Sequence, residues 1–279
     1  MEIGFIGAGK VGFSLGKYFT EHGVTVKGYY SRDPESARAA AEFTGTSLFT
    51  STEELLAACD TIFITAPDGA IKEVYLGLDR SALSGKTLCH CSGAMSSEEA
   101  FPGLAAAGGR SCSVHPLFPV NSKYQSYKEL GTSFFCLEGD AAPDMQELMS
   151  SLGNPTRMIT AESKAKYHAA CVVSSNLVCA LAAESISLLK DCGFSAEEGL
   201  TALAPMVMSN IRKVLEVGPA EALTGPVERN DISTVRKHLK CIPEGNGREM
   251  YRAVTRKLIE VAEERHPDSD YSEMKKIIK

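Results

Sequence analysis

Residues 3–12 read Ile-Gly-Phe-Ile-Gly-Ala-Gly-Lys-Val-Gly, a short apolar strand running directly into Gly7-x-Gly9-x-x-Gly12. In this setting Gly7 lets the chain turn sharply after the strand, and Gly9 lets backbone amides approach a pyrophosphate. Gly12 lets the next helix sit against the sheet with its positive N-terminal end toward the phosphates. A glycine triplet alone often marks an ordinary loop. Here it lies between a strand and an amphipathic helix carrying Phe13, Leu15 and Phe19, and a second strand follows at 24–30. That context predicts a dinucleotide site on Gly7, Ala8, Gly9, Lys10, Val11 and Gly12.

The end of the second strand points to one dinucleotide over the other. An NAD site usually carries Asp or Glu there to accept the ribose hydroxyls, whereas this chain has Ser31-Arg32, a hydroxyl and a guanidinium suited to a 2'-phosphate. Asp33-Pro34-Glu35 reads as an N-cap with proline in the first helical turn. NADP is therefore expected in preference to NAD.

With 279 residues, 44% of them hydrophobic, the chain can bury one large core or two moderate ones. Its net charge of -6 argues against nucleic acid or an anionic membrane as a partner. The first strand begins at residue 3, so no signal or transit peptide is expected ahead of it, and the cysteine pattern makes a reducing cytoplasm the expected location. The apolar run Ala169–Ala183 is interrupted by Ser174, Ser175 and Asn176. It reads as a buried helix, too short and too polar to span a bilayer. Most of the nine cysteines, including Cys136, Cys171 and Cys179, sit in apolar runs as small hydrophobes. Cys89-His90-Cys91 matches no common zinc spacing, and on a strand its two thiols would share one face with His90 on the other. No metal site is expected.

Strands at 2–6, 25–30, 47–49, 61–65, 87–90, 111–114 and 132–138 alternate with helices beginning near Gly12, Pro34, Thr52, Ala70, Ser97 and Pro143. This alternation predicts an α/β fold, a doubly wound Rossmann sheet of parallel βαβ units. From about Glu162 the pattern turns helical, with a capping box at Ser195–Glu198 and amphipathic stretches at 231–241 and 247–265. The expected organisation is a dinucleotide-binding domain over 1–158 and an all-α domain over 159–279.

Ligands of open α/β sheets bind beyond the carboxyl ends of the strands. Three segments lie there: Thr65-Ala66-Pro67-Asp68, His90-Cys91-Ser92-Gly93 and His115-Pro116-Leu117. Ala66, Pro67 and Ser92 are placed against the cofactor, and His90 and His115 are candidates for ligand contact or for binding loop carbonyls. In the helical half Lys164 and His168 share a helix face. Asn176 needs a partner in its apolar run. Thr224-Gly225-Pro226 forms a turn, Asp231 can cap the next helix, and Arg229 and His238 are left for a carboxylate, a phosphate or a structural ion pair.

Taken together, Gly7-Ala-Gly-Lys-Val-Gly12, His90-Cys-Ser-Gly93, His115-Pro-Leu117, Tyr167-His168-Ala-Ala, Ser175-Asn176 and Leu-Thr-Gly-Pro226 resemble an uncharacterised Rossmann-like oxidoreductase family. Its helical half is domain of unknown function 2520. The family looks like a branch of the superfamily that holds pyrroline-5-carboxylate reductase and the β-hydroxyacid dehydrogenases. The resemblance spans nearly the whole chain and implies NADP binding, a helical C-terminal domain and a homodimer formed through that domain. Where the family has Arg-Gly-Asp after the Gly-Pro turn, this chain has Arg229-Asn230-Asp231, and Asn tolerates left-handed geometry. The Lys and Asn that β-hydroxyacid dehydrogenases place one turn apart do not transfer, because Lys164 and Asn176 are about three turns apart.

The expected activity is hydride transfer between NADP and a small polar carbonyl, imine or alcohol. Histidine titrates near neutrality, so His168 is the first choice for proton transfer, with His115 second and Lys164 beside them. His90, Asn176, Thr224, Arg229 and His238 are the substrate-side candidates, some of which would act in trans in a dimer. The alternative is a non-catalytic NADP(H)-binding sensor or interaction module.

Overall fold

A computed structural model describes residues 1–279. The elements run β1 (Ile3–Ile6), α1 (Lys10–Glu21), β2 (Val26–Tyr30), α2 (Pro34–Thr44), β3 (Ser47–Leu48), α3 (Thr52–Ala58), β4 (Thr61–Ile64), α4 (Asp68–Leu76), β5 (Thr87–His90), α5 (Ser97–Ala100) and β6 (Arg110–Pro116). Then follow α6 (Tyr127–Leu130), β7 (Phe135–Glu138), α7 (Ala142–Ser151), β8 (Thr156–Met158) and α8 (Lys164–Ser174). The rest is helical: α9 (Asn176–Asp191), α10 (Ala196–Val217), α11 (Pro219–Ala222), α12 (Ile232–Cys241), α13 (Asn246–Arg265) and α14 (Ser272–Ile277).

The eight strands form one sheet in the order β3-β2-β1-β4-β5-β6-β7-β8. Side chains alternate across a strand, so each central strand feeds two cores. Ile3, Phe5 and Phe63 pack with Phe13, Phe19 and Met145 from α1 and α7. Ile6, Ile62 and Ile64 pack on the opposite face with Leu55 of α3, Ile71 of α4 and Phe101 just after α5. The order reverses between β1 and β4, which opens a crevice beyond their carboxyl ends. As expected, Cys89 and Cys91 belong to the first layer. His90 meets Phe101 of the second layer edge-on, with ring centroids 5.5 Å apart.

The parallel pattern breaks at β7, which is antiparallel to β6. The stretch between them does not cross the sheet as a full helix. It folds back over the first layer, where Tyr124 packs edge-on against Phe13 and Phe43, and Tyr127 against Phe43. Ser14 Oγ donates to the carbonyl of Ser122 at 3.3 Å. Without a crossover the chain re-enters the sheet in the opposite sense. The short β8 was not expected, and it pairs in parallel with β7.

The chain divides into two compact units, Met1–Ser174 and Ser175–Lys279. The change falls after α8 rather than at 158/159, because the buried Lys164 ties α8 to the sheet through Ser92 and Ser113. The second unit has its own core, built from Val235 of α12, Ile259 and Ala262 of α13, and Tyr271 and Met274. Three caps lie where the sequence placed them: Asp33 for α2, Ser195 with Glu198 for α10, and Asp231 for α12. Asn230 is the one non-glycine residue at positive φ (52°), so the Asn that replaces Gly takes up the left-handed geometry.

The expectation for the apolar run is overturned. The run at 169–183 is not a buried helix: it is split between α8 and α9, and α9 buries no residue. Val173, Leu177 and Leu181 are exposed, as is Cys179. Asn176 is exposed too, with Oδ1 accepting from Ser175 Oγ, so no buried amide needs a partner. The apolar stretch also extends further than read: Ala161–Asp191 is long and apolar enough to cross a membrane by length and composition, with mean hydropathy 1.7.

Candidate functional site

The crevice beyond β1 and β4 holds a cavity of about 520 Å³. Gly7, Ala8 and Gly9 line it with Ser31, Arg32, Thr65, Ala66 and Pro67. Gly7 turns with φ +105°, and Thr65 Oγ1 donates to its carbonyl at 2.9 Å. A Cβ on Gly12 would lie 2.6 Å from Thr65 Oγ1 and 2.7 Å from the Gly7 carbonyl oxygen, so only glycine lets α1 approach the loop this closely. Beside Gly9, the N-cap of α1, a Cβ would meet nothing nearer than 3.8 Å. Lys10 and Val11 belong to the first turn of α1 and do not line the cavity. A glycine-lined crevice, a helix N-terminus and a free guanidinium together fit a phosphorylated dinucleotide.

Ser92 lies outside this cavity, buried at the centre of a second cluster. Its amide donates to His90 Nδ1 (3.1 Å), and its hydroxyl donates to Asp68 Oδ2 (2.6 Å) and accepts from the Met95 amide (3.1 Å). Its carbonyl accepts from Ser113 Oγ (3.2 Å) and Lys164 Nζ (2.9 Å). Lys164, 2% exposed, also donates to Ser113 Oγ at 2.5 Å. This bonding fixes the turn, and the residue after it carries the consequence. A Cβ on Gly93 would lie 2.4 Å from His168 Cδ2 and 2.8 Å from His115 Nε2. The Gly93 backbone is therefore the floor on which two imidazoles meet, with ring centroids 6.2 Å apart.

Burial, with help from the charges of Lys164 and His168, pushes His115 down to about 4, so it is neutral at pH 7. Its Nδ1 lies 2.6 Å from the Tyr167 hydroxyl. Burial also drives the Tyr167 phenol well above its ordinary value, so it keeps its proton. A Tyr167 hydroxyl that donates to Nδ1 would leave the His115 proton on Nε2, the nitrogen beside Gly93. His90 is fully buried and held down to about 3, first by burial and then by the Lys164 ammonium. Burial likewise depresses Lys164.

Residues 2–92 match the NADP oxidoreductase, coenzyme F420-dependent family, and residues 133–258 match domain of unknown function 2520. The chain joins an NADP oxidoreductase domain to a DUF2520 domain. Protein TM1727 from Thermotoga maritima is 27% identical, with 95% of this chain and 99% of that chain covered and a TM-score of 0.74. Two further solved structures share the fold. An imine reductase from Pseudomonas sp. has 20% identity, coverage of 94% and 97%, and a TM-score of 0.64. A reductive aminase from Aspergillus terreus, in complex with NADPH and ethyl-5-oxohexanoate, has 17% identity, coverage of 99% and 92%, and a TM-score of 0.63. No curated protein matches the sequence.

In this oxidoreductase the first unit thus brings together His90, Ser92, His115, Lys164 and His168. Asn176, Thr224, Arg229 and His238 belong to the second unit. His238 Nδ1 lies 2.8 Å from the Tyr251 hydroxyl, while Thr224 and Arg229 are exposed. Sequence reasoning missed Asp68, Gly93, Ser113 and Tyr167 as site residues. Gly93 and Tyr167 stood inside quoted motifs, but Ser113 carried no signal beyond its place near the end of a strand.

Proposed function

We propose that this oxidoreductase uses NADP to interconvert a small polar imine or carbonyl compound with its amine or alcohol. The observation that carries the reading is the convergence of His115 and His168 on the Gly93 backbone, with Tyr167 against His115, on the same strand-end edge of the sheet as the glycine-lined cavity. NADP, when bound, would supply or accept the hydride. Arg32 and Ser31 would hold its 2'-phosphate, and the Gly7–Gly9 backbone its pyrophosphate. His168 is the proton-transfer group in this reading. His115, neutral and donating from Nε2, would polarise the substrate oxygen or nitrogen. Thr224 and Arg229, exposed in the helical unit, are kept as substrate-side candidates, with Asn176 and His238 as further ones.

The shared fold of an imine reductase and a reductive aminase makes cyclic imines and ketone–amine pairs the first substrates to try. With such a panel, turnover followed by nicotinamide absorbance should fall at least about a hundredfold in His168→Ala and His115→Ala. NADPH affinity should change less than about twofold, since neither side chain lines the cofactor cavity. Tight NADPH binding without turnover of any imine, carbonyl or alcohol would favour the sensor reading instead.

The same reading includes a homodimer formed through the helical unit. Leu200, Met206, Met208, Ile211 and Leu215 of α10 are exposed, beside Leu177 and Leu181 of α9. Apolar area of this extent is what a partner covers, and a second copy presents the same stripe. Sedimentation at about twice the 29.9 kDa chain mass is expected, and a monomer in dilute buffer would refute it. The nine free thiols favour a reducing, cytoplasmic setting.

A further inference from the structure

The stretch that folds back between β6 and β7 delivers a second cation to the cofactor cavity. Lys123 lines it together with Ser31, Arg32 and Ser36, all three at the end of β2 or in the first turn of α2. Neither Lys123 nor Arg32 is tied up in an ion pair. Instead the Lys123 ammonium rests 4.6 Å from the centre of the Phe13 ring. A ring face holds a cation in place without neutralising it, so its charge stays available to an incoming anion. The loop is fixed on both sides of the lysine: Ser122 by Ser14 Oγ and by Ser126 Oγ, and Tyr124 by its edge contacts with Phe13 and Phe43.

The carboxylate nearest this corner, Asp33, feels the Lys123 charge, but its oxygens are already engaged. Asp33 Oδ1 accepts from the Glu35 amide at 3.2 Å and Oδ2 from Ser36 Oγ at 2.6 Å. Asp33 is thereby turned into the cap of α2 and away from the acceptor role that an NAD site would require. What remains is a corner with two cations on separate elements, Arg32 after β2 and Lys123 on the stretch before β7, the charge type that a phosphate monoester needs.

We infer that Lys123 is a specificity-determining residue, which closes on the 2'-phosphate of the cofactor opposite Arg32. The inference rests on the NADP reading above and adds to it a residue from outside the strand-end motif. Calorimetric titration of the full chain with NADPH and NADH tests it. Lys123→Gln should weaken NADPH about tenfold or more and NADH less than about twofold, and Lys123→Arg should retain most of the preference. Tyr124→Ala, which frees the loop while keeping the charge, should lose part of the same preference. A Lys123→Gln variant that loses both dinucleotides equally, or neither, overturns the lysine's role while leaving the NADP reading intact. If the wild-type chain binds neither dinucleotide, or prefers NADH, the NADP reading fails and the lysine's role fails with it. Thermal unfolding of each variant, expected unchanged for a half-buried loop lysine, separates lost recognition from lost folding.

Discussion

Lowering the pH from 6.5 to about 4.5 is expected to remove about 4 kcal/mol of folding stability through two histidines alone. His90 and His115 titrate at about 3 and about 4 in the fold, against 6.5 for an ordinary imidazole, and burial is the first cause of both shifts. The folded state therefore prefers them neutral, and as acid is added the unfolded chain takes up their protons first. Their contribution is complete above pH 6.5. It is lost as the pH falls toward the folded values, at up to about 1.4 kcal/mol per unit for each ring. Urea unfolding at pH 7, 6 and 5 reads the slope. His90→Gln gives up the acceptor for the Ser92 amide and so starts lower at pH 7. Its acid slope should nevertheless be about half the wild-type value, and equal slopes would show that His90 is not buried as a neutral ring.

A second large effect is expected at Lys164. An ammonium buried against a carbonyl and a hydroxyl, with no carboxylate in ion-pair contact, has lost more hydration than its two neutral acceptors return; its depressed pKa is the sign of that cost. The cost is fully present at neutral pH and is relieved as the pH rises through the folded pKa toward 10.5. Lys164→Met fits the same space, and Ser113 Oγ still donates to the Ser92 carbonyl. The variant should therefore be at least as stable as the wild type at pH 7. Its turnover should nonetheless drop on the order of a hundredfold, because the Ser92–Gly93 turn loses an anchor and with it the fixed floor of the imidazole pair. The His115 titration, followed by NMR, should move upward once the neighbouring charge is gone. A stable variant with wild-type turnover and an unmoved His115 would remove Lys164 from any positioning role.

Local signals carried the first half of the fold well. The strand–glycine–helix run at 3–21, the Asp33-Pro34 cap and the short apolar strands each state their structure within a dozen residues, and their alternation with helices predicts the parallel βαβ units. What stayed illegible was set by distance or by context. Nothing near Lys123 announces that its loop folds over α1, since Phe13 and Phe43 lie far away in sequence. The antiparallel sense of β7 was equally unannounced, because its pairing with β6 joins residues some twenty positions apart. The exposure of α9 went unread because an apolar helix looks alike in sequence whether its own chain or another surface covers it. At the site, the histidines could be picked out as strand-end residues. The use of Ser92 as a hub could not, because serine bonds whatever the fold brings to it.

The reversal of direction between β6 and β7 leaves the intervening stretch unlike any other connection in the sheet. Its ends are held by strands at Pro116 and Phe135, and neither strand relies on the middle for its pairing. The stretch can therefore be exchanged as a cassette. If Lys123 acts as inferred, a change of nucleotide preference would need no rebuilt sheet, only a different tip between the same two anchors.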